Sequence, residues 1–363
     1  MVISWEARLA ALSLLIAVPL LPVAAASPQR TTPSLGKLVG QSIMGSMTGT
    51  VPSRSLLGRV RRGELGGVIL FGYNIVNVRQ VRSLVSKLQQ AAHAGDNPPL
   101  LIATDQEGGP VRRLANGPPF QSAQTMGSSD SPTLVRRIGI ATGDDLRSAG
   151  VNVDLAPVVD VPESHSSFLG SRTFSEDPKV VARLGTAFVQ GVQDAGVAAT
   201  AKHFPGLGTA TANPDDARVV IATDKTELDR RLTSFKAAIK AGVHLVMVSN
   251  ASYPALDRSG LPVALSRPIV TELLRRTLDF HGTVITDTLA APGPAHYPDA
   301  CTRALQAGVD VLLLSGDEDE SATAFAQIEH AAQAGKLTMV TLRAAYKRII
   351  ALKTWLKTGR RAR

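Results

Sequence analysis

Three segments of the chain stand out because each ends an apolar run in groups able to do chemistry. LLIATDQEGGPVRRL leaves its run at Asp105, turns through Gly108-Gly109 and then presents Arg112 and Arg113. AATAKHFPGLG ends a small-residue run in Lys202 and His203, and the Pro-Gly that follows fixes their direction. GTVITDTL places Asp287 at the end of a third run. Singly these residues have ordinary explanations: an aspartate entering a Gly-Gly turn caps it, and a lone Lys or His at a strand end is structural or solvated. Gathered in one pocket, they can act. Lys and His donate hydrogen bonds to sugar hydroxyls, and a desolvated carboxylate near Lys202 can stay ionised and attack an anomeric carbon.

Such gathering requires elements that bring distant strand ends together. The sequence alternates short β-branched apolar runs with longer helical patterns, the signature of βα units around a parallel sheet. Eight runs are predicted: Val39–Ser46, Gly67–Phe71, Leu100–Thr104, Val151–Val158, Val197–His203, His244–Ser249, Thr283–Asp287 and Asp310–Ser315. Between them lie amphipathic stretches such as VRQVRSLVSKLQQAAHA, VVARLGTAFVQGVQDAG and TSFKAAIKAG, each followed or ended by a Gly suited to a helix C-cap. Eight such units close a (β/α)₈ TIM barrel, and a doubly wound open sheet fits the same alternation. The barrel is favoured because Asp105, Lys202, His203, Asn250 and Asp287 all fall at C-terminal strand ends, which a barrel converges on one mouth.

The chain begins with the layout of a secretory signal peptide: Arg8, an apolar run from Leu9 to Leu21, then Ala24-Ala25-Ala26. That run is short for a membrane span, so residues 1–26 are expected to be removed, although retention as an anchor fits the same residues. Residues 27–359 are then expected to form one barrel domain and 360–363 a basic tail fraying after Trp355. The only cysteine, Cys301, excludes an internal disulfide, and no cysteine stands where a lipid anchor needs one. The net charge of +9 is read as a solvated basic surface that also suits an anionic cell-wall polymer. With aromatics at 4% and no aromatic interleaving of the kind that single-strand binders use, nucleic acid is not an expected partner.

Taken together, these segments resemble the barrel domain of family 3 glycoside hydrolases, in particular the single-domain bacterial β-N-acetylglucosaminidases. The resemblance rests on DQEGG-x-V-x-R (Asp105 to Arg113), NVDLAPVVDV (Asn152 to Val161), LGSRTFSEDP (Leu169 to Pro178), AKHFPGLG (Ala201 to Gly208), YPALD (Tyr253 to Asp257), VITDTL (Val284 to Leu289) and ALQAGVDVLLL (Ala304 to Leu314). It implies that Asp105, Arg113, Arg172, Lys202 and His203 line the subsite for the terminal sugar. It also implies that Asp287 forms a glycosyl-enzyme intermediate. No metal or organic cofactor is implied, and the seven histidines show no ligand spacing.

The match breaks at the general acid. Where that branch carries Asp-Ser-His, with the histidine as acid/base, this chain has Asn213-Pro214-Asp215. Three readings fit: Asp215 or its neighbour Asp216 donates the proton, with Pro214 stiffening the loop; His165 donates from elsewhere; or the acid is lost. Pro110 in the glycine turn and the bare TDTLAAPG after Asp287 are further departures. The expected function is a retaining exo-glycosidase that removes terminal β-linked N-acetylhexosamine from cell-wall-derived or chitin-derived glycans outside the cytoplasm. The alternatives are a catalytically impaired glycan-binding barrel at the wall, or a relative acting on another β-glycoside.

Overall fold

In the computed structural model, the structure describes Met1 and residues 33–164 and 167–358. The expected signal peptide and the tail 360–363 therefore lie outside the described residues, apart from Met1, as does His165. All eight predicted runs contain a strand: β1 Ile43–Gly45, β2 Gly67–Ile69, β3 Leu101–Thr104, β4 Val153–Asp154, β5 Ala198–Phe204, β6 Leu245–Val248, β7 Thr283–Thr286 and β8 Leu312–Leu314. They pair in parallel in the order β8-β1-β2-β3-β4-β5-β6-β7. A parallel bridge between Ile285 and Val311 joins β7 to β8 and closes the circle, so the open-sheet alternative falls. At that seam the buried Asp310 carboxylate accepts from Val284 N at 2.8 Å, Arg275 at 2.5 Å and Arg348 at 2.8 Å. A charge with that many partners can stay buried.

Along each strand successive side chains face opposite sides. Met44, Ile69, Leu101, Ala103, Leu245 and Ile285 fill the barrel interior. Their neighbours Val68, Ile102, Val246 and Val284 belong to the larger core between strands and helices. The interior is thus a packed core, and only the polar strand ends above it are available for a ligand.

Two expectations need correction. The run Val39–Ser46 is not all strand: Leu35–Gln41 is a helix, capped by Ser34, which accepts from Lys37 N, and the strand begins only at Ile43. Apolar residues alone do not separate a buried helix from a buried strand, and the Ser N-cap was the deciding signal. The C-terminal helix Met339–Thr358 also continues past Trp355. It plugs the lower end of the barrel with Ile349 and Leu352, against which Trp355 and Leu356 pack.

The same helix buries Lys353, whose ammonium donates to Gln41 Oε1 at 2.6 Å and to the Gly66 carbonyl at 2.8 Å. Burial pulls its pKa down to about 7 from the ordinary 10.5. Between those values the unfolded chain binds the proton and the folded chain does not, so raising the pH favours folding. Relative to Lys353→Met, the wild-type protein should gain on the order of a few kcal/mol as pH rises from about 7 to 10.5. Denaturant melts of both proteins at several pH values measure this, and parallel curves would refute it.

Candidate active site

The site is built from loops that leave β2, β3, β4, β5 and β7. After β3, Asp105 opens a small antiparallel hairpin in which Gln106–Gly108 pairs with Val111–Arg112. Gly108 turns at φ +96°, and a Cβ there would meet the Gln121 carbonyl at 2.2 Å, so only glycine lets the hairpin fold this tightly. Gln106 braces the returning chain: its amide donates to Leu114 O and Pro118 O, and its oxygen accepts from Leu114 N. These bonds hold Arg113 beside Asp105, with 3.8 Å between the charged groups.

Lys202, near the end of β5, points into the barrel mouth with its side chain only 3% exposed. Its ammonium sits between Asp105 at 2.8 Å and Glu107 at 2.7 Å. Arg172, from the turn Gly170–Arg172, grips both Glu107 oxygens at 2.8 Å. Burial pushes the Glu107 carboxyl up, but Lys202 and Arg172 overcome it and hold the pKa at about 2. Burial likewise pulls Lys202 down, and the attraction of Asp105 and Glu107 reverses it, so its pKa ends above the ordinary lysine value. Beneath them Asp154, at the end of β4, accepts from Gln106 N at 3.1 Å, and burial raises its carboxyl far above the usual range.

His203 is held from behind. Its Nδ1 lies 2.7 Å from Asp160 Oδ2, its backbone N–H donates to the same carboxylate, and Leu207 N–H donates to Asp160 Oδ1 at 2.7 Å. One buried carboxylate thus fixes both the imidazole and the turn that follows it. Asp287 stands just past β7, where its Oδ1 accepts from Thr288 N at 2.8 Å. Asn250 does not face the ligand space: its amide donates to the Thr288 carbonyl at 2.7 Å and so steadies the turn carrying Asp287.

The loop with the altered tripeptide folds over this mouth. Its base is pinned by Ile221 N to Ser252 O at 2.8 Å, Ser252 N to Val219 O at 2.9 Å, and a Thr209–Thr223 hydroxyl contact at 2.7 Å. At its tip Asn213 accepts from Asp215 N through its side chain, and from Asp216 N and Ala217 N through its carbonyl. Asp215 reaches the cavity. Loss of water around its carboxyl, and then the Asp287 charge, raise its pKa to about 6, against the opposing pull of His203, Arg172 and Lys202. Both aspartates are exposed to solvent, but Asp216 is bonded to the Asn213 amide at 3.1 Å and is not among the residues lining the cavity.

A cavity of about 210 Å³ is the result, and it brings together Asp105, Arg113, Arg172, Lys202, His203, Asp215 and Asp287. Of the residues expected from sequence, it leaves out Asp216. Lys202 shares the cavity with Asp287, and its ion pairs are with Asp105 and Glu107. Sequence reasoning missed Glu107 and Asp160. Glu107 carried a signal, since residues two apart on an extended segment share a face and Asp105 was already singled out. Asp160 carried none beyond being an acid past a strand. Among the described residues no group of His, Cys, Asp and Glu is placed to hold a metal ion.

The sequence pattern of the glycosyl hydrolase family 3 N-terminal domain matches residues 40–352. A secreted glycosyl hydrolase of Arthroderma benhamiae is 35% identical over 329 residues, which is 87% of this chain and 92% of that protein. A beta-hexosaminidase of Nitrosomonas eutropha is 35% identical over 268 residues, 71% of this chain and 75% of its own. Among solved structures, a family 3 β-N-acetylglucosaminidase from Paenibacillus superposes with a TM-score of 0.88 at 32% identity. That match covers 92% of this chain but only 64% of the longer Paenibacillus chain. On the family pattern and these relatives, the chain belongs to glycosyl hydrolase family 3.

Proposed function

We propose that this protein is a retaining exo-glycosidase that removes a terminal β-linked N-acetylhexosamine, with Asp287 as nucleophile and Asp215 as acid/base. The observation that carries the reading is the pair Asp287 and Asp215 on one cavity, the second with its pKa raised to about 6 by burial and by the first. A carboxylate for attack and a carboxylic acid for protonation are the two groups that glycoside hydrolysis needs. Asp105, Arg113, Arg172, Lys202 and His203 bind the sugar hydroxyls, and the small cavity suits one terminal unit. The names of the Nitrosomonas and Paenibacillus relatives support N-acetylglucosamine as that unit.

The chemistry balances within these residues. Asp287 bonds to the anomeric carbon as the glycosidic bond breaks, and the departing oxygen takes the Asp215 proton. Esterification cancels the Asp287 charge, so the repulsion that raised the Asp215 pKa disappears. Asp215 then stays ionised, takes a proton from water, and that water displaces Asp287.

We place the protein outside the cytoplasm, with residues 27–359 as one barrel domain freed from a signal peptide over 1–26 and with 360–363 as its basic tail. The Arg8-to-Ala26 layout supports this, as does the word "secreted" in the Arthroderma protein's name. Among the described residues no helix is long and apolar enough to cross a membrane. The +9 charge supports association with an anionic wall polymer, and glycans of cell-wall or chitin origin are the substrates we assign.

Asp287→Ala should abolish hydrolysis of both an activated aryl β-N-acetylglucosaminide and an unactivated disaccharide; retention of wild-type turnover would end the assignment. Asp215→Asn should cost about 10²–10⁴ on the disaccharide and far less on the aryl glycoside, whose leaving group needs little protonation. Asp216→Asn should leave both rates within about twofold, because Asp216 lies off the cavity. A donor acts only while protonated, so wild-type disaccharide turnover should fall as pH rises through about 6, and Asp215→Asn should lack that limb. Rate–pH profiles on the two substrates decide this, and an unchanged limb in the variant would move the acid role elsewhere.

A further inference from the structure

A second pocket of about 540 Å³ adjoins the catalytic cavity, between the segment after β2 and the hairpin after β3. Its volume lies within the range of about 300–1,000 Å³ typical of ligand sites. Arg113 lines both pockets, and its guanidinium lies 5.9 Å from the Phe71 ring, another wall of the catalytic cavity. Tyr73 stacks on Phe71 with ring centres 5.6 Å apart, so an aromatic ledge leads outward from the sugar cavity.

Its chemistry is cationic and partly apolar. Arg79 and Arg112 line it, and neither has a carboxylate partner among the described residues. Arg112 lies over the Phe120 ring at 5.1 Å, and the one acidic group in the lining is Asp145. Tyr73, Val76 and Phe120 are 58%, 65% and 60% exposed, so large apolar side chains crowd this side of the mouth. Unpaired guanidinium groups beside exposed apolar surface are what an anionic ligand with an apolar or sugar body would cover.

Building on the glycosidase reading, we propose that this pocket is a second subsite that binds a carboxylate-bearing part of the same substrate, with Arg79 and Arg112 as its anion contacts. The carboxylate belongs either to the aglycone or to a substituent on the terminal sugar. Asp145 accepts from a hydroxyl of the same group.

The experiment pairs each acid with its neutral amide: a β-N-acetylglucosaminyl disaccharide whose second sugar bears the carboxylate, and an aryl β-N-acetylglucosaminide carboxymethylated on O6. Wild-type kcat/KM should favour the acid by about tenfold in one pair, the advantage should shrink with salt, and it should vanish in the Arg79→Gln/Arg112→Gln variant. The pair showing the preference identifies the carboxylate's source. Turnover of the plain aryl glycoside should be unchanged in the variant. Equal handling of acid and amide in both pairs would overturn the subsite, as would an equal loss on the plain aryl glycoside. If no glycoside is cleaved, the glycosidase reading fails by itself, and calorimetric titration of the same four compounds then decides the pocket. An acid preference lost in the variant upholds the subsite, and none refutes it.

Discussion

The Lys202 ammonium, buried between Asp105 and Glu107, is the interaction on which the mouth of this barrel depends. An isolated lysine at that depth would lose its proton, and an isolated glutamate would gain one. Together, and with Arg172 closing the other side of Glu107, each keeps the other charged. The arrangement also commits geometry. Lys202 comes from β5 itself, the two acids follow β3, and Arg172 comes from the turn Gly170–Arg172 in the segment after β4, so two βα loops are locked to a strand by charge rather than by apolar packing. Removing one member leaves the others as uncompensated buried charges, which is costlier than losing a surface pair.

That rigid floor contrasts with the rim. Asp215 rides on a loop tied down at Val219–Ile221 and at Thr209, and its tip is organised by Asn213. Floor residues satisfy one another and need no ligand to stay in place. The raised pKa of Asp215, in contrast, comes from partial removal from water and from a carboxylate that changes charge during turnover. A proton donor and acceptor has to sit where its environment can change, and the rim is where this fold offers that.

Much of this was legible in the sequence because barrel strands are short, apolar and regularly spaced, and because a residue ending such a strand has one place to point. All eight runs contain strands, and seven of the eight chosen side chains line one cavity. Other features were hidden for physical reasons. Glu107 looked like part of a glycine turn because nothing in a linear string shows that the hairpin folds back and buries it. Asp160 pairs with His203 across 43 positions, a contact set by how β4 and β5 exit the barrel. Asn250 had the position of a ligand-facing group but satisfies the Thr288 carbonyl instead, since a backbone acceptor beside the nucleophile must be paired by something.

The replacement of a histidine by Asp215 follows from the same division between floor and rim. An imidazole donor can reach a useful pKa beside a carboxylate partner, whereas an aspartate must be raised from its ordinary value by two units or so. Here Asn213 stands where the partner aspartate is expected, and a neutral amide suits the change. It accepts from the Asp215 backbone without adding a second negative charge that would overcorrect the acid. The two substitutions therefore make one consistent electrostatic unit: loss of the histidine removes the need for a charged partner, and without that partner the loss of water and Asp287 raise the proton affinity of Asp215 against the pull of His203, Arg172 and Lys202.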